Sequence, residues 1–272
     1  MKEPPRQSRQ DTSGLPPLLR KEGSWFERKQ RERALRALRR QLDYQREKAA
    51  SAEATEDEMA RFQFLRSQMI RKRLEAIKPI AATDRVLEVG SGTGGLIFGF
   101  GNNLRVGIDP LADHYKQLYP KLQSTANTVA ARGEDLPFAD ASFDIVLSDN
   151  VIDHAEQPFA IVDEMIRVLR PGGLLYFTVN IHHPIYHLAS MAHGAWNALG
   201  VKIELSAFAD HTVHLTEKRV ADCFAHQPLK IIEQSSSIAR ARESGVGGNS
   251  QESHLRKVFF KNGIFELLAE RL

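Results

Sequence analysis

The segment RVLEVGSGTGG, residues 85–95, decides the fold. An apolar strand runs without a break into a loop holding four glycines, Gly90, Gly92, Gly94 and Gly95. Glycine permits positive φ and lets backbone approach a ligand closely. The Leu-Ile-Phe run at 96–98 predicts a helix whose N-terminal amides face that ligand. Gly90, Gly92 and Gly95 satisfy G-x-G-x-x-G, the spacing of a dinucleotide-binding turn. Asp109 closes the next apolar stretch, 19 residues after Gly90. A carboxylate there can accept from both ribose hydroxyls of an adenosine. Two ligands therefore compete: a dinucleotide, or an adenosyl cofactor that carries an amino acid. Glu88 favours the second, because a charge at the strand tip repels a pyrophosphate and attracts an ammonium.

Outward from this loop, short apolar runs alternate with helical patterns. Strands are expected at 85–89, 105–109, 144–149, 174–179 and 229–234, with a last edge strand at 256–260. Helices are expected at Leu111–Leu122, Pro158–Leu169 and Thr216–Phe224. Unbroken strands alternating with helices predict a mainly parallel α/β sheet covered on both faces. Before it lie a proline-rich flexible tail (1–20) and a basic helical extension (21–80) with helices at 24–48 and 57–77. Ser24 is the expected N-cap of the first helix. The first 80 residues carry 20 Lys+Arg against 12 Asp+Glu, whereas the rest carry 17 against 22.

Three further segments carry pattern: GIDP (107–110), GEDLPFADASFDIVLSDNVIDH (133–154) and EMIRVLRPGGLLYFTVN (164–180). With EVGSGTG they resemble the class I S-adenosylmethionine-dependent methyltransferases, in the small-molecule group with L-P-F…F-D-x-V and L-[KR]-P-G-G segments. The resemblance covers residues 83–180 and continues more weakly at 211–234. It implies a Rossmann-like, mainly parallel seven-stranded sheet with helices on both faces, spanning 81–272 with an insertion at about 181–215. It also implies S-adenosyl-L-methionine as cofactor. Glu88, Gly90, Gly92 and Gly94 would hold the methionine part and Asp109 the ribose. Ile108 with Pro110 or Leu111 would sandwich adenine, Gly133 and Glu134 would read its amino edge, and Asn150 would line the pocket. One departure stands out. Many relatives place an Asp four residues before the L-P-F leucine, where this chain has Arg132.

Methyl transfer needs a nucleophile held in line with the donor, and a base only when the acceptor carries a proton of high pKa. Eight of ten histidines lie between His154 and His226. His154 and His182 follow strands at the crevice end of the sheet, where ligands bind in open α/β folds. With Asp153 they are the candidate bases. His183 and His187 have i, i+4 spacing, but Pro184 lies between them and no cysteine accompanies them, so no metal site is expected.

The apolar insertion predicts a partly hydrophobic small-molecule acceptor. Residues 235–253 read as a mobile loop. The basic helices raise RNA or protein as alternative acceptors, but glutamates interleave with the arginines and aromatics are few, which makes nucleic acid unlikely as a partner. A non-catalytic adenosyl-cofactor-binding subunit is a third reading. Cys223 is the single cysteine, so no internal disulfide forms and a reducing, cytoplasmic setting is expected. No apolar run approaches the ~20 residues of a membrane span.

Overall fold

The computed structural model describes residues 25–50, 56–101, 103–182, 215–238 and 262–272. The 1–20 tail, the Ser24 cap, residues 183–214 of the insertion, the loop beyond 238 and the expected strand 256–260 lie outside the described residues.

Two helices lead the chain, α1 (Trp25–Ala50) and α2 (Glu56–Ile77). The sheet strands are β1 (Arg85–Val89), β2 (Leu104–Ile108), β3 (Asn127–Val129), β4 (Phe143–Asp149), β5 (Leu169–His182), β6 (Leu229–Ser236) and β7 (Asn262–Arg271). Between them lie α3 (Ala112–Leu118), α4 (Pro120–Gln123), α5 (Pro158–Val168) and α6 (Glu217–Ala225). The seven strands form one sheet in the order β3-β2-β1-β4-β5-β7-β6. β1 to β5 are parallel, and β7 runs antiparallel between β5 and β6. This is the seven-stranded Rossmann-like α/β fold expected from the sequence, and the strand order reverses at β1/β4, where such sheets open a ligand crevice.

The apolar strands bury both faces. Leu87, Val146, Phe177 and Leu267 pack with α5 and α6 on one side. Val86, Leu147, Tyr176 and Leu268 pack with α2 and the loop after β1 on the other. α2 is fixed by Ser67, Ile70 and Leu74, all buried, while Leu65 on its far side is 65% exposed.

Three elements differ from the sequence reading. The single helix expected at 111–122 is two, because Pro120 lacks an amide and its ring disfavours helical backbone at Tyr119 (φ −134°, ψ 62°). β3 is three residues long, too short for an apolar pattern. The last described strand, β7, is internal to the sheet and leaves β6 at the edge. Its alternation sends Phe265, Leu267 and Ala269 to one face and Leu268 to the other. Arg170-Pro-Gly-Gly makes its turn within β5: Phe143 pairs with Leu169 but Ile145 pairs with Leu174, and Gly172 takes φ +72°.

The packing of α2 is directly testable. Leu74→Ala should cost about 2–5 kcal/mol of unfolding free energy by urea titration, since its side chain is 0% exposed. Leu65→Ala should change stability by less than about 0.5 kcal/mol.

Candidate active site

The glycine loop is tied to β2, because Gly90 N and Ser91 N both donate to Ile108 O (2.7 and 3.0 Å). Gly90 has φ +80°, and a Cβ there would overlap the Val151 side chain from the loop after β4. Beneath the loop, Glu88 is 1% exposed. Its two oxygens accept from Leu96 N (2.9 Å) and Ile97 N (3.0 Å). Gly95 leaves the space this carboxyl fills. Burial pushes Glu88 up to about 8, against the pull of the two amides.

Two expectations change here. The Leu-Ile-Phe run forms only a four-residue 3-10 helix (Leu96–Gly99), not an α-helix. Its first amides are taken by Glu88 and do not face a ligand. The turn therefore offers no helix N-terminus to a pyrophosphate. Glu88 itself lies under the loop and does not line the cavity above it.

That cavity has a volume of about 700 Å³. Gly90, Gly92, Asp109, Pro110, Gly133, Glu134, Asn150 and His154 line it together. Gly94, Asp153 and His182 do not. Asp109 is held by Leu111 N (2.8 Å) and Gly92 N (3.1 Å), and burial pushes its carboxyl up to about 6. Asn150 adopts φ 60°, and its Oδ1 accepts from Asn180 N (2.9 Å). Asn180 Nδ2 also donates to Asp153 Oδ2 (3.3 Å). Asp153 is fully buried, with Oδ2 3.7 Å from His154 Nε2. His182 is buried at the end of β5, where its amide donates to Leu215 O (2.8 Å).

Arg132 stands on the cavity wall between two carboxylates. Its Nη2 donates to Glu134 (3.1 Å) and Glu156 (2.9 Å). Glu134 also accepts from the amides of Glu156 (3.1 Å) and Gln157 (3.3 Å). The L-P-F segment just beyond is clamped onto α5: Leu136 N donates to Glu164, and Arg167 donates to the carbonyls of Leu136 and Phe138.

Some of the cavity lay outside sequence reasoning. α1 forms a wall with Ala34, Ala37, Leu38, Gln41 and Tyr44. Its small residues signal close approach but do not say to what. Asp149, at the tip of β4, lines the cavity while bonded to Arg66 of α2 (2.7 Å) and Thr178 (2.6 Å). Among the described residues the lining holds four carboxylates (Asp109, Glu134, Asp149, Glu156) against two guanidinium groups (Arg40, Arg132).

Residues 87–177 match the family model for a methyltransferase domain. That segment is similar to the class I methyltransferase domains. An uncharacterized methyltransferase from Mycolicibacterium gilvum is 41% identical over 99 residues, 35% of this chain and 39% of the relative. An uncharacterized protein from Methanocaldococcus jannaschii is 35% identical over 103 residues, 38% of this chain and 48% of the relative. The chain thus spans less than half the length of these curated relatives.

The fold is shared more widely. The geranyl diphosphate C-methyltransferase of Streptomyces coelicolor superposes with TM-score 0.53 at 13% identity, covering 81% of this chain and 85% of that one. The [4+2]-cyclase SpnF superposes with TM-score 0.50 at 15% identity, covering 76% and 80%. Among the described residues no helix is long and apolar enough to cross a membrane.

The Glu88 arrangement has a signature in pH. The native state retains a proton that the unfolded chain releases, since the native carboxyl titrates near 8 and the unfolded one near 4.5. Its contribution to stability is complete below about 4.5 and is lost as pH rises through 8. Urea titrations at stepped pH should show this fall, and Glu88→Gln should flatten it.

Proposed function

We propose that this protein transfers a methyl group from S-adenosyl-L-methionine to a small, partly apolar acceptor. The observation that carries the reading is the electrostatic character of the cavity. Carboxylates outnumber guanidinium groups on its lining, and the amides that would bind an anion are held by Glu88. Such a site suits a cationic sulfonium with an ammonium and disfavours a dinucleotide.

The residues fit this cofactor. Asp109 would accept from the ribose hydroxyls, with Gly90 and Gly92 beneath the methionine part. Ile108, Pro110 and Leu111 would face adenine, and Asn150 would close the pocket on the β4 side. Glu88 and Gly94 would act at one remove: Glu88 by shaping the loop, and Gly94 within it. Bound S-adenosylmethionine supplies an electrophilic methyl carbon on a good leaving group.

The protein's part is then to orient the acceptor, exclude water and, for a hydroxyl or similar acceptor, remove a proton. His154 is the base on the cavity wall, and the buried Asp153 orients its ring. His182, off the cavity, would support the end of β5. α1 contributes Ala34, Leu35, Leu38 and Tyr44, an apolar wall that favours a small acceptor. Its exposed charges alternate, Glu32 and Asp43 with Arg36 and Arg46, which is a poor match to a phosphate backbone.

Calorimetric titration with S-adenosylhomocysteine tests the reading. Micromolar binding is expected, with none for NADH. Asp109→Ala should weaken binding about 10–100-fold, the worth of one or two hydrogen bonds to a charged group. Binding should also weaken as pH falls through about 6, because protonated Asp109 loses acceptor capacity. Binding of NADH instead would overturn the proposal. With an acceptor found by screening labelled donor, His154→Ala should cut turnover about 10²–10⁴-fold and leave cofactor affinity unchanged.

A further inference from the structure

We infer that α2 docks a second copy of this chain, the two α2 helices crossing antiparallel through the exposed stripe Phe62, Leu65 and Met69. The inference stands apart from the cofactor and the reaction.

α2 is apolar on two sides. One side, with Ser67, Ile70 and Leu74, is buried in the domain. The other is left open among the described residues: Phe62, Leu65 and Met69 are 65%, 65% and 62% exposed. Steps of three and then four residues set these side chains in one line along the helix. A single exposed apolar side chain is ordinary, but large ones in an unbroken row form a patch, and such patches mark interaction surfaces. The same alternation of steps carries the line on to Glu58 at one end and Lys72 at the other, both exposed. This is the seam of a helix pair, apolar at its centre and oppositely charged at its ends. A merely solvated face would place charges at the centre as well.

The charges choose the occupant. The first turn of α2 is acidic, with Glu56, Asp57 and Glu58. Leu65 lies midway between Glu58 and Lys72. A twofold axis through the middle of the stripe therefore lays the acidic turn of each copy beside Lys72 of the other and sets the apolar residues against one another. A parallel pairing would put acid on acid and lysine on lysine. A twofold interface has to be complementary to itself, and this stripe is. Among the described residues Lys72 enters no ion pair, whereas Arg71 is held by Glu75 and Arg73 by Glu233 and Glu266.

One helix from each copy supplies the contact, which is small beside the roughly 800 Å² per partner of a standard interface. The dimer is therefore reversible, and the dilute protein of a urea titration reads the monomer. The seam also lies beside Arg66, which holds Asp149 on the cavity wall.

Sedimentation equilibrium of the full chain tests this, from about 1 μM to about 1 mM, where a weak contact saturates. The wild type should pass from monomer to dimer across the series. Leu65→Asp should raise the dissociation constant at least about 100-fold, because a twofold interface counts the substitution twice. Glu58→Lys and Lys72→Glu should each raise it about tenfold, since each turns two attractive pairs repulsive. A mixture of these last two variants should dimerise as the wild type does, because both crossings of the mixed pair again join a lysine to a glutamate. A wild type that stays monomeric throughout overturns the inference, whatever else covers the stripe. So does a dimer unaffected by Leu65→Asp, which would use another surface. Failure of the mixture to recover, with both variants at wild-type melting temperature, removes the antiparallel crossing and the inference with it.

Discussion

The cavity depends on one buried carboxyl. Glu88 faces inward from the tip of β1 and accepts from the amides of Leu96 and Ile97. An unpaired carboxylate at that depth would cost several kcal/mol. Two backbone donors offset part of this, and retention of a proton relieves more. The chain after Gly95 is thereby pulled against one face of the sheet, where Leu96, Ile97, Phe98 and Phe100 complete the α2-side core. Had those residues continued as an α-helix aimed at the crevice, the amides would have made an anion site. Drawn down by Glu88, they leave the crevice to Gly90, Gly92 and Asp109.

Loops after two other strands, β4 and β3, are then set against this one. Val151 packs over Gly90, Asn180 holds both Asn150 and Asp153, and the Glu164–Arg167 pair clamps the segment after Glu134 onto α5. Asn150, on the cavity, is thereby joined to Asn180 in β5. Positioning of this kind is what a transfer reaction draws on, since orientation can supply much of the barrier reduction. The superposition with a cyclase of the same fold makes the same point from outside: the sheet provides the crevice, and the chemistry is set by what the loops place there.

The strands were legible because β1, β4 and β5 are buried on both faces, and a parallel sheet requires unbroken apolar runs of its central strands. β3 and the α3–α4 break were not, the first for its three residues and the second because one proline interrupts an otherwise periodic stretch. The glycines, Asp109 and Asn150 could be placed from local pattern, since each is fixed within a few residues of a strand end. Glu88 could not be oriented that way: the same tip position serves a carboxylate facing a ligand or one facing down, and only the path of residues 95–97 decides. Arg132 stood out as a departure, but its second partner, Glu156, lies 24 positions away, and no local rule connects them.

α1 poses the same difficulty at larger scale, and its solution shows how floor and roof are joined. Leu111 donates its amide to Asp109 and presents its side chain to both the cavity and Leu42 of α1. Tyr115, one helical turn on, lines the cavity and hydrogen-bonds Gln41, and the Tyr119 hydroxyl donates to Gln45. The Asp109 carboxylate, the apolar wall beside it and the helix closing the space thus meet through a single turn of α3. Displacing α1 would strip apolar cover from Leu111 and Tyr115 and leave Gln41 and Gln45 without their tyrosine partners. The narrow stripe of Ala34, Leu38 and Leu42, too thin to hold a helix by itself, is therefore sufficient here, because α3 supplies the other half of the contact.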